Sequence, residues 1–251
     1  MELHDIIEQV SSGKLTPEEA QARLVGYVRT DAGRFDAARE QRRGVPEGIF
    51  APGKTVEEIA TLIEAALSTT GRAIVTRVTS AQTATLEARI KGEITYHERA
   101  DCLVVHTSDF EEPAIDANVG VVTGGTADGL AAGEAGIVLQ EIGASVELIE
   151  DVGVANLSRV VDQLPRIREQ DVLVVAAGRE GALPTVVAGL VSVPVIGLPV
   201  SSGYGYGGDG EAALMGMLQS CSVLSVVNID AGFVAGTQAG LIARAIADAR
   251  E

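Results

Sequence analysis

The chain has 251 residues and a formal net charge of −16, with 46% hydrophobic and only 3% aromatic residues. A nucleic-acid surface needs a basic stripe, so this charge argues against a nucleic-acid partner. A small anionic substrate remains possible, because a local basic pocket binds phosphate even within an acidic protein. Two cysteines are too few for a disulfide framework, and neither a metal-ligand cluster nor a signal peptide is recognisable. Since no apolar run reaches about 18 residues, we expect a cytoplasmic protein without a membrane partner.

The composition favours an α/β fold, because 29 glycines accompany an apolar content drawn mostly from Ala, Val, Leu and Ile. Residues 1–113 predict a small α/β domain. Its first ~30 residues predict helices, one of them capped by Thr16 with Pro17 at its first position. A turn-rich segment over residues 43–55 is too irregular for a helix. Further on, the predicted elements are a helix over 55–67, a strand over 73–78, a helix over 81–90 and a strand over 100–106.

Residues 114–251 predict a second domain, because strands and helices alternate regularly along them. The predicted strands cover 117–123, 145–149, 171–177, 194–198 and 223–227. The predicted helices cover 126–142, a segment from 156, 181–190, 210–219 and 232–249. This alternation indicates a doubly wound parallel sheet, in which ligands bind beyond the carboxyl ends of the strands.

Three glycine-rich loops fall at those strand ends. The first, residues 123–129, suits an anion at a helix N-terminus, although many such turns are only tight connections. In the second, residues 177–184, Arg179 and Glu180 are either rim groups of a site or solvated charges. The third, residues 199–210, has five glycines and two tyrosines, which favours contact with a ligand.

The two cysteines differ in their surroundings. Cys102 lies within an apolar strand, which predicts inert packing. Cys221 lies between two serines near a strand edge, although sequence alone does not establish a reactive thiol. Farther along, Gly232, Gly236 and Gly240 recur at four-residue spacing and predict close helix packing, either within the fold or at a subunit interface.

Seven short motifs occur together and in order: Arg43-Gly-Val-Pro-Glu47, Gly53-Lys-Thr55, Gly125-Thr-Ala-Asp128, Gly178-Arg-Glu-Gly-Ala-Leu-Pro184, Ser202-Gly-Tyr-Gly205, Ser220-Cys221 and Asn228-Ile-Asp-Ala-Gly232. Each motif is weak alone, but the ordered set resembles the LarB family of nickel-pincer cofactor biosynthesis proteins. The resemblance covers nearly the whole chain beyond residue ~30.

The second half also resembles the PurE-type carboxylases of purine synthesis, which share the doubly wound fold and usually assemble as octamers. Those enzymes carry a His before the Leu-Pro pair, where this chain has Ala182. They also carry a Ser-Ala-His-Arg loop, where this chain has residues 151–159, without a His. These departures argue against carboxyl migration on an aminoimidazole.

The LarB resemblance implies that nicotinic acid adenine dinucleotide is carboxylated at ring carbon C5 and cleaved to AMP and pyridinium-3,5-biscarboxylic acid mononucleotide. It implies CO₂ or bicarbonate as co-substrate, substrate-bound Mg²⁺ and a homo-oligomer. Cys221 would be the nucleophile, with Glu180 and Asp128 as open alternatives for proton transfer. Arg43, Lys54 and Arg77 would supply positive charge, although ordinary surface charge is the alternative for all three. The remaining expected substrate-binding residues are Gly44, Val45, Pro46, Glu47, Thr55, Gly125, Thr126, Ala127, Gly178, Arg179, Ser202, Gly203, Tyr204, Gly205, Asn228 and Asp230.

Two other functions remain open. One is a PurE-like aminoimidazole ribonucleotide carboxylase or mutase, which the missing His residues disfavour. The other is a non-catalytic nucleotide-binding oligomer, which would need the phosphate-binding loops but no thiol. Replacement of Cys221 distinguishes an enzyme that uses a thiol from a binding module.

Overall fold

The computed structural model describes residues 3–17, 20 and 24–250, and it divides into two compact units, Met1–Glu111 and Glu112–Glu251. The sequence predicted a domain boundary after residue 113. Among the described residues, no helix combines the length and the apolar character needed to cross a membrane. The helix expected to start at Thr16 includes Glu18 and Glu19, which lie outside the described residues.

The first unit contains a four-stranded mixed sheet in the order Gly48–Phe50, Arg72–Thr76, Cys102–His106 and Glu93–His97, of which only the first two are parallel. The helices whose bounds lie within the described residues are α1 (Leu3–Ser11), α2 (Arg39–Arg43), α3 (Val56–Thr70) and α4 (Ser80–Glu87). Its strands are the β1 (Val28–Thr30) and β2 (Gly33–Phe35) hairpin, then β3 (Gly48–Phe50), β4 (Arg72–Thr76), β5 (Glu93–His97) and β6 (Cys102–His106). The core lies between α3 and the sheet.

Both helices that follow the parallel pair begin at a threonine. Thr55 caps α3 by accepting a hydrogen bond from the N–H of Glu58, whose carboxylate accepts one from the N–H of Thr55. Thr79 and Gln82 form the same reciprocal arrangement at the start of α4. These capping boxes satisfy backbone donors that have no partner within the helix.

The second unit is a five-stranded parallel sheet with the order β11-β10-β9-β7-β8, as the predicted α/β fold class requires. Its strands are β7 (Asn118–Thr123), β8 (Ser145–Ile149), β9 (Val172–Ala177), β10 (Val195–Pro199) and β11 (Ser225–Val226). Its helices are α5 (Gly129–Ile142), α6 (Leu157–Arg168), α7 (Ala182–Ala188), α8 (Glu211–Leu218) and α9 (Gly232–Asp248). Helices α5 and α9 cover one face of the sheet, and α6, α7 and α8 pack on the other.

Gly232, Gly236 and Gly240 form a stripe on α9 that packs inside the fold. Of the two predicted locations, within the fold or at a subunit interface, the structure shows the first. A Cβ built at Gly236 would lie 2.6 Å from the carbonyl oxygen of Ala135 on α5, and one at Gly240 would lie 2.5 Å from Ile142. Gly232 meets Ala131 of α5 even more closely. The stripe therefore lets two helices approach backbone to backbone within the second unit.

Candidate active site

A cleft of about 560 Å³ opens at the carboxyl edge of the five-stranded sheet. It is bounded by the loops that follow four neighbouring strands, β7, β8, β9 and β10. Three of these loops were predicted as ligand-binding segments. The fourth contributes Gly153, Val154 and Ala155, which the sequence analysis missed. Because residues 153–155 follow a parallel strand at the same edge, topology was the signal that could have identified them.

Asp128 lies at the centre of the cleft wall and is only 7% exposed. Its Oδ2 accepts a hydrogen bond of 2.8 Å from the N–H of Gly125, and its Oδ1 accepts one of 2.7 Å from Ser202 Oγ. The carboxylate therefore joins the loop after β7 to the loop after β10. Since both oxygens already accept hydrogen bonds, its orientation is fixed before any ligand binds.

The loops after β9 and β10 cross at two glycines. A Cβ at Gly178 would lie 2.7 Å from Ser202 Oγ, and a Cβ at Gly203 would lie 2.6 Å from the backbone nitrogen of Arg179. No real side chain tolerates these distances without moving a neighbouring loop. The two glycines are thus required for the crossing that shapes the cleft.

Arg179 and Glu180 form the rim of the cleft. Arg179 has a φ of 51°, a strained value for a non-glycine residue, and its guanidinium lies 4.2 Å from the centre of the Tyr204 ring. Glu180 is exposed, and its side chain makes no hydrogen bond or ion pair with the described residues. Of the two carboxylates proposed for proton transfer, Asp128 is engaged by the protein and Glu180 is available to a ligand.

Cys221 is exposed but does not line the cleft. The neighbouring Ser222 donates a hydrogen bond of 3.0 Å to the carbonyl of Thr185, in the middle of α7, whereas Ala182 and Leu183 at the start of that helix line the cleft. Ser222 also lies beside Gly189, which follows α7, so Cys221 is placed outside the lining of the cleft of its own chain. Cys102, in contrast, is buried in β6, and its thiol donates to the carbonyl of Ala100.

Asn228 and Asp230 lie beyond β11 and do not line the cleft. Asp230 Oδ1 accepts a hydrogen bond of 2.9 Å from the N–H of Ser201, which anchors the base of the loop after β10. Asn228 Oδ1 accepts from the adjacent N–H of Ile229. Asp230 thus organises a loop at the cleft, whereas the hydrogen bond of Asn228 is local.

In the first unit, ion pairs position the segment that carries Arg43. Arg39 pairs with Glu47 at 2.7 Å, Arg42 with Asp36 at 2.6 Å, and the buried Arg72 with Glu40 at 2.8 Å. Arg43, the last residue of α2, is exposed and has no such pair among the described residues.

The rest of this motif is structural. Gly44 ends α2 with a φ of 70°, and Val45 and Pro46 are buried. Burial raises the pKa of Glu47, and Arg39 opposes that rise without cancelling it.

Lys54 and Arg77 lie together at the carboxyl ends of the parallel strands β3 and β4. Lys54 Nζ donates 2.7 Å to the carbonyl of Phe50, and the Arg77 guanidinium lies 5.4 Å from the centre of the Phe50 ring. Arg77 also has a positive φ of 55°. The structure thus brings these two predicted cations to one edge of the first unit, where Thr55 caps α3.

The comparisons with known proteins cover both units. The family model for the LarB/PurE-like N-terminal domain matches residues 27–108, and the model for AIR carboxylase matches residues 118–251. The chain belongs to the LarB family. The uncharacterized protein MJ0165 of Methanocaldococcus jannaschii is 35% identical over 252 residues, which cover 96% of this chain and 97% of that protein. The two matched domains confirm the predicted PurE-like second half and indicate an enzyme of carboxylase type.

Proposed function

We propose that this LarB-family protein carboxylates C5 of the pyridinium ring of nicotinic acid adenine dinucleotide. In the same active site it cleaves the phosphoanhydride, which yields AMP and pyridinium-3,5-biscarboxylic acid mononucleotide for the nickel-pincer cofactor. One observation carries the proposal: Ala182 lines the cleft where PurE-type enzymes have a His, while Asp128 and Glu180 remain there. A cleft with carboxylates and no imidazole suits proton removal from a cationic ring better than chemistry on an aminoimidazole.

The chemistry needs a nucleophile because C5 of an aromatic pyridinium does not attack CO₂. Addition of a thiolate at C4 breaks the aromaticity and leaves an enamine whose electron pair forms the C5–CO₂ bond. A base then removes the C5 proton, the C4–S bond breaks with its electrons returning to sulfur, and the ring regains aromaticity. This is covalent catalysis, in which one prohibitive step becomes two accessible ones. Glu180 is the base, since its carboxylate is exposed in the cleft while both oxygens of Asp128 already accept hydrogen bonds.

The Cys221 thiol reaches the cleft of a second copy of the chain. The reason is that Cys221 is exposed but does not line the cleft of its own chain, and the adjacent Ser222 contacts α7 at Thr185 rather than at the residues that line the cleft. Its surroundings suit an interface, because Met215 and Leu218 of α8 and Val223 before β11 are all exposed. In addition, β11 is an edge strand of the sheet. The protein is therefore a homo-oligomer, an octamer by resemblance to the PurE-type enzymes.

Mg²⁺ enters this proposal on the diphosphate of the substrate. No group of three or more His, Cys, Asp or Glu side chains suitable for a metal occurs in the described part of the chain. Mg²⁺ does not need such a cluster, because it usually binds through substrate phosphates, water and one or two carboxylates. When bound, the ion would neutralise charge on the diphosphate, while Arg179 and Ala127, which line the cleft, and the adjacent Thr126 would contact the phosphates or ribose.

The direct test is incubation of the protein with nicotinic acid adenine dinucleotide, bicarbonate and Mg²⁺. We expect AMP and a mononucleotide that is heavier by one carboxylate, both detected by mass spectrometry. Cys221→Ala should lose carboxylation but still bind the dinucleotide, whereas Cys102→Ser should keep both. A mass increase on Cys221 in the absence of bicarbonate would identify the thiol adduct. Carboxylation of aminoimidazole ribonucleotide, or activity indifferent to Cys221→Ala, would contradict the proposal.

A further inference from the structure

The loop after β10 has a fixed base and an exposed tip, which is a turn closed by a hydrogen bond of 3.1 Å from the N–H of Gly208 to the carbonyl of Gly205. At its base, Ser201 bonds Asp230, Ser202 bonds Asp128 and Gly203 packs on the backbone of Arg179. Beyond the tip, the carbonyl of Gly207 accepts a hydrogen bond of 3.0 Å from the N–H of Ala212, where α8 has begun. The base is thus tied to the neighbouring strand-end loops, and the far side is tied to α8.

Tyr206 lies at this tip and is fully exposed, at 107% of its reference area. It stands between Gly205 and Gly207, whose φ values are 91° and 72°. Glycine adopts these left-handed values without the steric cost that other residues incur, and it also reaches negative φ values readily. Because the hydrogen bond from Gly208 to Gly205 spans Tyr206, the tip moves as one closed turn, and its glycines let it swing without strain while the base of the loop stays in place.

The cleft is close to this ring. Tyr204, two residues earlier, already lines the cleft, and two extended residues span at most about 7 Å. One face of the Tyr204 ring is covered by the Arg179 guanidinium at 4.2 Å. Tyr206 is the next aromatic ring along the chain, in a protein with only four tyrosines, four phenylalanines and no tryptophan.

We propose that Tyr206 closes over the cleft and stacks on the pyridinium ring of the bound dinucleotide. The inference rests on the proposed function, which supplies a flat cationic ring beside Glu180. An aromatic face attracts a cation, most strongly when water is excluded. Exclusion of water also serves the reaction, because water would protonate the enamine carbon that must attack CO₂.

A single tryptophan tests this placement, since the chain has none of its own. Tyr206→Trp in a Cys221→Ala background, which prevents the covalent adduct, is titrated with nicotinic acid adenine dinucleotide. We expect saturable quenching of the indole emission by the stacked pyridinium, and none with AMP, which lacks that ring. Val161→Trp on the exposed surface of α6, in the same background, is the matched control and should not be quenched.

Affinity provides the second measurement. Tyr206→Ala should weaken dinucleotide binding by roughly tenfold in calorimetry, as loss of a desolvated cation–π contact implies. Tyr206→Phe, which keeps the ring, should bind as the parent does.

The stacking proposal is overturned if Tyr206→Trp is quenched no more than Val161→Trp, or if Tyr206→Ala binds the dinucleotide as tightly as the parent does. The proposed function would still stand in either case. If the parent protein does not bind the dinucleotide, both fail.

Discussion

The two edges of the five-stranded sheet use their charged residues differently. At the amino edge, Asp171 accepts hydrogen bonds from the N–H of Asn118 at 2.9 Å and from Arg250, which also donates 2.7 Å to the carbonyl of Asp116. At the carboxyl edge, Glu180 has no such partner among the described residues. The Asp171 carboxylate at the amino edge holds chain segments together, whereas the Glu180 carboxylate at the rim of the cleft is available to a ligand. Substitutions at the cleft should therefore affect activity more than stability, and those at the amino edge the reverse.

The largest expected effect comes from removing either the Cys221 thiol or the Glu180 carboxylate. Cys221→Ala and Glu180→Gln should each lose at least about a hundredfold in carboxylation rate. Co-expressed with different affinity tags and purified as mixed oligomers, the pair should regain about one quarter of the parent activity. In a random mixture, half of the clefts have an intact Glu180, and half of those clefts receive an intact Cys221 thiol from the neighbouring chain.

A mixture of Glu180→Gln and Asp128→Asn is the control, because both changes affect the same cleft and should give no recovery. A mixed oligomer of Cys221→Ala and Glu180→Gln that stays inactive would mean that the thiol acts within its own chain. Cys221, which does not line the cleft of its own chain, would then have to reach it by movement.

The crossing of two loops at Gly203 should give the next largest effect. A Cβ there would lie 2.6 Å from the Arg179 nitrogen, so Gly203→Ala must displace a cleft loop. A displacement of about 1 Å can lower kcat/KM by roughly a hundredfold.

Gly189→Ala, at the other end of α7, is the matched control, since its Cβ would make only ordinary contacts from 3.5 Å. Steady-state rates and urea unfolding should separate the two variants. Equal activities would show that the crossing does not set the geometry of the cleft.

A smaller effect should follow from loss of the hydrogen bond between Ser202 and Asp128. Ser202→Ala leaves the buried Oδ1 of Asp128 without its donor, which costs about 1–3 kcal/mol of local stability. We expect roughly a tenfold lower kcat/KM, because the orientation of Asp128 loosens.

Ser201→Ala should behave as the parent, since the backbone N–H of Ser201, rather than its hydroxyl, makes the recorded bond. Identical kinetics of the two alanine variants would argue against a role for the Ser202 hydroxyl.

The smallest effect should come from the amino edge and should depend on pH. Burial raises the pKa of Asp171, but hydrogen bonds from Arg250 and from the Asn118 N–H outweigh burial and lower that pKa. A lowered pKa in the folded state contributes stability above the unfolded value of about 3.9, and this contribution disappears as the pH falls through the folded value.

Asp171→Asn should therefore lower the free energy of unfolding by about 1 kcal/mol at pH 7, and by less near pH 3, with activity unchanged. Urea unfolding at pH 7, 5 and 3 measures the difference. An equal loss at all three pH values would show that the carboxylate charge is not the cause.

The sequence predicted the second unit well because its three central strands, β7, β9 and β10, are almost wholly buried. Every residue of Val172–Ala177 is buried, so a continuous apolar run marks the strand. The first unit was harder to predict. The strand Gly48–Phe50 has only three residues and lies within a turn-rich segment, while Glu93–His97 is partly exposed throughout and carries no apolar run. Neither strand was predicted. The β1–β2 hairpin was missed as well, because each of its strands has only three residues.

The candidate site was predictable where it depends on local sequence. Glycine-rich loops after strands were sufficient to place Asp128, Glu180 and Ser202 around one cleft. The position of Cys221 was not predictable, because it depends on how α8 packs against the loop before α7. Gly216 of α8 packs directly against the carbonyl of Glu180, and this contact directs the residues after α8 away from the cleft. Spacing along the chain does not encode that packing.

The close packing of α5 against α9 also affects how the second unit folds. Glycine is among the poorest helix formers, and α9 has three of them along the contact, so this helix gains its stability by docking on α5. About ninety residues of chain separate the end of α5 from the start of α9, which makes the contact distant in sequence and slow to close. Native-state hydrogen exchange should therefore find both helices opening together, as one cooperative event that precedes or accompanies global unfolding.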